Sequence, residues 1–246
     1  MNRNTALTAA LVASVFCMPV AADACMHVLR PREDPDVQML RVVERDLDRQ
    51  RYSNAARRVL RRFPTIHGPA VARQSAQRRN RPPTLAVSAS FERGLRVVAL
   101  ALVRNHGHLR LRAPWSGVTQ RQRDVNVAWA TDVLSRQYDR TPEDPLARSQ
   151  FGEALSRSAT SRPAARELLE GLAVREVVPE SMAWAALADL RDETGDAAGR
   201  DQALASCRRI AVQPQTCRSY LAKAHPRTER AIQIGQSRPA DVAGAR

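Results

Sequence analysis

Apolar residues recur at helical spacing along nearly the whole chain beyond residue 35. Val37, Leu40, Val43 and Leu47 fall three or four apart, and Asp36 ahead of most of them supplies a helix cap. A break at residues 50–53 leads into a second helix whose Ala56, Leu60 and Phe63 face inward and which Phe63-Pro64 ends. Residues 65–83, with Gly68, Pro69, Pro82 and Pro83, read as a linker holding at most a short helix near 71–78. Residues 85–104 follow as the most apolar helix, carrying Phe91, Leu95, Val98 and Leu102. Residues 105–118, with His106, His108, Pro114 and Trp115, form an irregular insertion. Helix then resumes at 120–138, 145–158, 163–174, 179–194 and 196–210. Proline at 145, 163 and 179 suits the first turn of a helix, where its missing N–H leaves no partner wanting. Gly195-Asp196 is a stop followed by a cap.

The later helices repeat. Ala130 and Leu134 return 34 residues on as Ala164 and Leu168, and Phe151-Gly152 is answered 36 residues on by Leu187-Ala188. Pro145, Pro179 and Pro214 are spaced by 34 and 35. A period of this length fits one helical hairpin, which buries its apolar face only by stacking on copies of itself.

These hairpins resemble degenerate tetratricopeptide repeats. Phe151-Gly152, Leu155, Ala164, Leu168 and Gly171 match one unit, and Trp184, Leu187, Ala188, Gly195 and Leu204 the next, with Cys207 at a small-residue place. Ala130, Leu134 and Pro142 match the second helix and close of an earlier unit. Val43, Leu47, Ala56, Leu60 and Phe63 suggest another at the N-terminal end. Arg200 stands where the pattern has alanine. The resemblance is regular over residues 120–212 and implies an all-α, antiparallel helix-hairpin array, a tetratricopeptide-like α-solenoid. It also implies protein binding through a concave groove, lined by polar positions of first helices such as Gln150, Glu153 and Arg157.

The beginning of the chain follows a different rule. Asn2-Arg3 is weakly basic, residues 6–20 are almost wholly apolar, and Ala21, Ala22 and Ala24 follow, which is the pattern of a secretory signal. Cleavage after Ala22 or Ala24 fits. The second would leave Cys25 first, the arrangement of a lipoprotein, although Ala22-Asp23-Ala24 lacks the large aliphatic residue such a site carries. No other segment is apolar enough to span a bilayer. The expected organisation is a leader at 1–24, a helical hairpin with a Pro/Arg-rich linker at 25–83, and a repeat region at 84–246 interrupted at 105–118. The expected location is outside the cytoplasm, periplasmic or extracellular.

Export gives the cysteines meaning, because an oxidising compartment permits disulfides. Cys207 and Cys217 flank the break at Gln213-Pro214, where two helices could bring their sulfurs together. The alternative pairs Cys25 with one of them. A bridge closing the shorter loop would contribute about 2–3 kcal/mol. No Cys-x-x-Cys spacing suggests redox catalysis.

Charge adds a second candidate site. The formal net charge is +14, and Lys223 is the single lysine among 39 basic residues. From Arg49 to Arg81 there are ten arginines and no acidic residue. Arg57, Arg58, Arg61 and Arg62 form two pairs four residues apart and project together from one helix face, with Arg78 and Arg79 further along. Such a face attracts a polyanion: surface polysaccharide, anionic lipid or nucleic acid. Tyr52 and Phe63 are its only aromatics, which disfavours base stacking.

Catalytic chemistry is thinly represented. His106-Gly107-His108 is the only histidine cluster, and no nearby carboxylate or thiolate completes a metal set. A metal-dependent enzyme there is the third reading, after a protein-binding scaffold and a polyanion binder. No nucleophile elbow, His-Glu-x-x-His or phosphate-cradling glycine loop occurs. No catalytic residue, metal or cofactor is expected.

Overall fold

A computed structural model describes residues 34–68, 89–112 and 114–217, all within one compact unit, Asp34–Arg246. The leader, Cys25 and the linker beyond residue 68 lie outside these residues, as do Arg78 and Arg79, whereas Ile66 of the expected linker is buried in the core. Among the described residues every regular element is helical: α1 Pro35–Asp48, α2 Tyr52–Arg62, α3 Ala89–Arg104, α4 Gln120–Arg140, α5 Pro145–Leu155, α6 Arg162–Ala173, α7 Ser181–Glu193 and α8 Ala197–Ile210, with a 3₁₀ turn at Ala159–Ser161. None is long and apolar enough to cross a membrane.

Local chemistry fixes most of the helix starts. Asp34, rather than Asp36, caps α1: its carboxylate accepts from the Asp36 N–H at 2.8 Å, with Pro35 opening the helix. Thr119 and Gln122 form a reciprocal capping box at the start of α4. Asp144 caps α5 ahead of Pro145, and Asp196 caps α8 through the Gly199 N–H.

The helix ends share a device that the sequence hides. After α1, α6 and α7 the chain turns through one left-handed residue, and after α3 through two, His106 and Gly107, while two backbone N–H groups reach back to the final turn. Glycine takes the first such position only at Gly195; Gln50, His106 and Glu176 take it elsewhere, each against the steric preference of a side chain.

Each helix packs on the next in the chain. In addition α1 touches α3, α3 touches α5, and α5 touches α7. Two apolar clusters result. One joins α1 through α4, including Leu40, Val59, Val98, Leu102 and Leu134; the other joins α6, α7 and α8 through Leu169, Leu172, Trp184, Leu187 and Leu204. Helix α5 serves both, placing Ala154 and Phe151 on the first and Leu155 on the second. Gly152 lets α6 come close: a Cβ there would lie 2.9 Å from Leu169 Cδ2.

The described residues of 105–118, the expected insertion, form a packed connection between α3 and α4. Leu109 and Trp115 are buried, Trp115 meets Trp129 edge-to-face at 5.1 Å, and buried Asn126 donates to the Gly107 carbonyl at 2.9 Å. Cys207 on α8 is disulfide-bonded to Cys217, and the Gln50 carboxamide donates to the Thr216 hydroxyl at 3.1 Å.

Candidate binding groove

The helices α1, α3 and α5, with the residues that lead into α7, line a polar cleft. Its deepest member is Arg104, the last residue of α3 and fully buried in the row that begins with Val97. Its Nε and Nη2 donate to Glu153 of α5 at 3.0–3.3 Å, and Nη2 also meets Glu180. Burial opposes the charge on Arg104, but the carboxylates of Glu153 and Glu180 outweigh it and hold the guanidinium more firmly protonated than usual. Gln150 donates from Nε2 to Glu180 Oε1 at 2.9 Å, while its own Oε1 is buried and has no partner among the described residues. This polar knot sits where the two apolar clusters meet, so it fixes how they abut.

Two cavities open beside the knot. One of about 340 Å³ is lined by Glu44, Asp48, Arg93, Arg96, Gln150 and Glu180 above Leu47, Val97, Leu100 and Leu146. Burial works against the Glu44 carboxylate there, yet hydrogen bonds and charge from Arg93 and Arg96 hold its pKa below the ordinary value. A second cavity, about 210 Å³, shares Leu47, Asp48, Arg104 and Glu180 with the first and is closed by Tyr52, Met182, Ile210, Val212 and Thr216. Desolvation pushes the Tyr52 phenol up to about 12, so it remains a neutral hydroxyl. Desolvation also raises the Asp48 carboxyl; Arg104 opposes this, and Glu180 and Glu44 add to it.

The groove residues named from sequence need correction. Gln150 and Glu153 are not exposed but 2% and 0% accessible, and Arg157 is half-buried. Glu153 is tied up with Arg104, a partner 49 residues away that no local pattern indicates. Asp48 and the Arg93–Arg96 pair, which sequence reasoning passed over, stand at the cleft instead. The available signal was a charge closing each of two apolar helices, Asp48 after Leu47 and Arg104 after Val103.

The arginine face is present but answered by acids. Arg57, Arg58, Arg61 and Arg62 are all exposed on α2. Arg62 binds Asp36 of α1, Arg58 lies 3.6 Å from Asp46, and Arg57 donates to Asn54 and to the Arg110 carbonyl. His106 is the first left-handed residue after α3 and borders a third cleft of about 730 Å³ between α4, α5 and the 3₁₀ turn. Among the described residues no three His, Cys, Asp or Glu side chains are grouped to hold a metal ion.

Comparison with family models, curated proteins and solved structures finds no match. The reading of the groove therefore rests on its residues.

Proposed function

We propose that this chain is an exported helical-repeat binding protein of the cell envelope, whose hairpins form a tetratricopeptide-like array and hold a protein partner in the cleft of α1, α3 and α5. The supporting observation is the succession α1–α3, α3–α5 and α5–α7 beside the sequential pairs. First helices that touch one another line the inner surface of a stacked hairpin array, and polar residues gathered there belong to a binding surface. The cleft offers charges of both signs and apolar floor, which suits a polypeptide, and holds no nucleophile–base pair to suggest turnover. The Cys207–Cys217 bond supports a location outside the reducing cytoplasm.

Site-specific photocrosslinking in an envelope extract tests this. A crosslinker at Asp48 or Leu146 captures one discrete partner, and the same group at Arg136 on the far side of α4 does not. Equal capture at all three positions removes the groove reading.

The second reading, polyanion binding by α2, is favoured by the exposure of Arg57, Arg58, Arg61 and Arg62 on one helix. It predicts heparin retention that falls steeply with salt and collapses when all four become Glu. Partner capture at the groove should survive that change.

A further inference from the structure

The wall between the two cavities carries more negative charge than its cations answer. Asp48, Glu153 and Glu180 face one guanidinium, Arg104, which donates to the latter two. The guanidiniums of Arg93 and Arg96, at the other end of the larger cavity, are directed to Glu44. Asp48 stands at the exposed rim of both cavities without a hydrogen-bonded or ion-paired partner among the described residues.

An independent observation points the same way. The Gln150 side chain is 2% accessible, lines the larger cavity, and has an unsatisfied Oε1. Its donation from Nε2 to Glu180 fixes the amide orientation, because the flipped form would set oxygen against carboxylate. An orphaned buried acceptor is costly, and an entering donor would recover that cost after a small turn of the carboxamide. Three acceptor-bearing side chains, Gln150, Glu180 and Asp48, thus line the same cavity.

A bare metal ion does not fit, since the described carboxylates are not grouped for direct coordination. A cation that carries its own N–H donors and an apolar stem does. Leu47 lies in both cavities, and Met182, Ile210 and Val212 line the smaller one. We propose that the paired cavities beside Asp48, Gln150 and Glu180 are a binding site for an alkylammonium group. An ammonium presents three donors to these three acceptors, and its methylenes lie along Leu47 toward Met182 and Val212. The group comes either from a lysine side chain of the partner held in the groove or from a free alkylamine. The first source rests on the groove reading above; the second does not.

The test uses the purified full chain and n-butylammonium chloride, followed through the Gln150 side-chain amide and the Leu47 and Met182 methyl signals by NMR. Saturable shifts are expected, with n-butanol inert and Asp48→Asn weakening binding about tenfold, the loss of one charged contact. Asp48 is on the rim, so D48N folds; Gln150→Met removes the orphan acceptor and weakens binding further if it folds. Two arms separate the sources: the tripeptide acetyl-Gly-Lys-Gly-amide binds more tightly than n-butylammonium if a partner's lysine is the occupant, and 1,4-diaminobutane binds more tightly if a free amine is. Absence of saturable shifts, equal effects of butanol, or unchanged affinity in D48N overturns the proposal. Groove crosslinking that survives all of these negatives would leave the protein-binding reading standing without it.

Discussion

Arg104 of α3 and Glu153 of α5 meet through a bidentate ion pair from which solvent is removed on both sides. Removing Arg104 leaves the Glu153 carboxylate buried and unanswered, and removing Glu153 leaves the buried guanidinium to Glu180 alone. Glu153→Ala is expected to cost about 3–5 kcal/mol in urea denaturation. The triple replacement Arg104→Met, Glu153→Leu and Glu180→Gln should recover most of that loss, because it removes the buried guanidinium together with both carboxylates that answer it. Recovery in the triple variant separates charge burial from cavity formation.

Two glycines, Gly152 of α5 and Gly171 of α6, should respond to alanine with opposite sign. Gly152→Ala places a methyl 2.9 Å from both Cγ and Cδ2 of fully buried Leu169, so it should destabilise by about 1–3 kcal/mol. Gly171→Ala meets only Arg148 Nη2 at 3.8 Å and removes a flexible residue from α6, so it should stabilise by about 0.5–1 kcal/mol. Thermal midpoints of the two variants, measured side by side, check both directions.

The left-handed residue after α6 is exposed Glu176. Glu176→Gly relieves the backbone there and is expected to raise stability by about 1 kcal/mol, partly offset by the freer unfolded chain. The same change at Gln50 should lower stability, since it also removes the hydrogen bond to Thr216. Urea midpoints distinguish the two.

The Cys207–Cys217 bond closes a loop of ten residues, which constrains the unfolded chain by about 2–3 kcal/mol. Dithiothreitol should lower the Tm of the native chain and leave the C207S/C217S variant unmoved. Because Ile210, Val212 and Thr216 lie inside that loop and line the smaller cavity, reduction should also weaken any ligand held there.

Glu44 and Glu170 titrate below their ordinary value near 4.5: burial opposes the Glu44 charge and Arg93 and Arg96 outweigh it, while the Arg191 hydrogen bond lowers Glu170 first. A depressed folded pKa stabilises above the unfolded value and loses that contribution as pH falls through the folded one. Glu44→Gln should therefore be less stable than the native chain at neutral pH, with the gap closing below about pH 4.5. Asp48 has the reverse sign: its carboxyl is raised, so D48N should gain stability at neutral pH and lose the gain in acid. Denaturant midpoints across pH read out both.

What the sequence made legible is mostly local. Pro145, Thr119 and Asp196 announce helix starts because caps act within three residues, and the apolar run before Arg104 announces burial. Asp34 displaced Asp36 as cap because Pro35 between them suits the first helical position better. The groove was not legible, because burial of Glu153 depends on an arginine delivered by another helix. The surroundings of the arginine face were hidden for the same reason: the stretch from Arg49 to Arg81 lacks acids, but packing brings Asp36 and Asp46 across from α1. Spacing along a chain reports which face a charge occupies, and only the fold reports what that face meets.

The hydrogen bond from Gln50 to Thr216 joins the end of the first helix to the segment after the last, across 166 residues. Stacked hairpins ordinarily fray from whichever terminal unit is weakest, and lineages lengthen them by copying a unit in the middle. Here both liberties are curtailed. The first and last described helices restrain each other, so the described helices should melt as one cooperative body, and an inserted helix pair would have to break that tie before it could be accommodated.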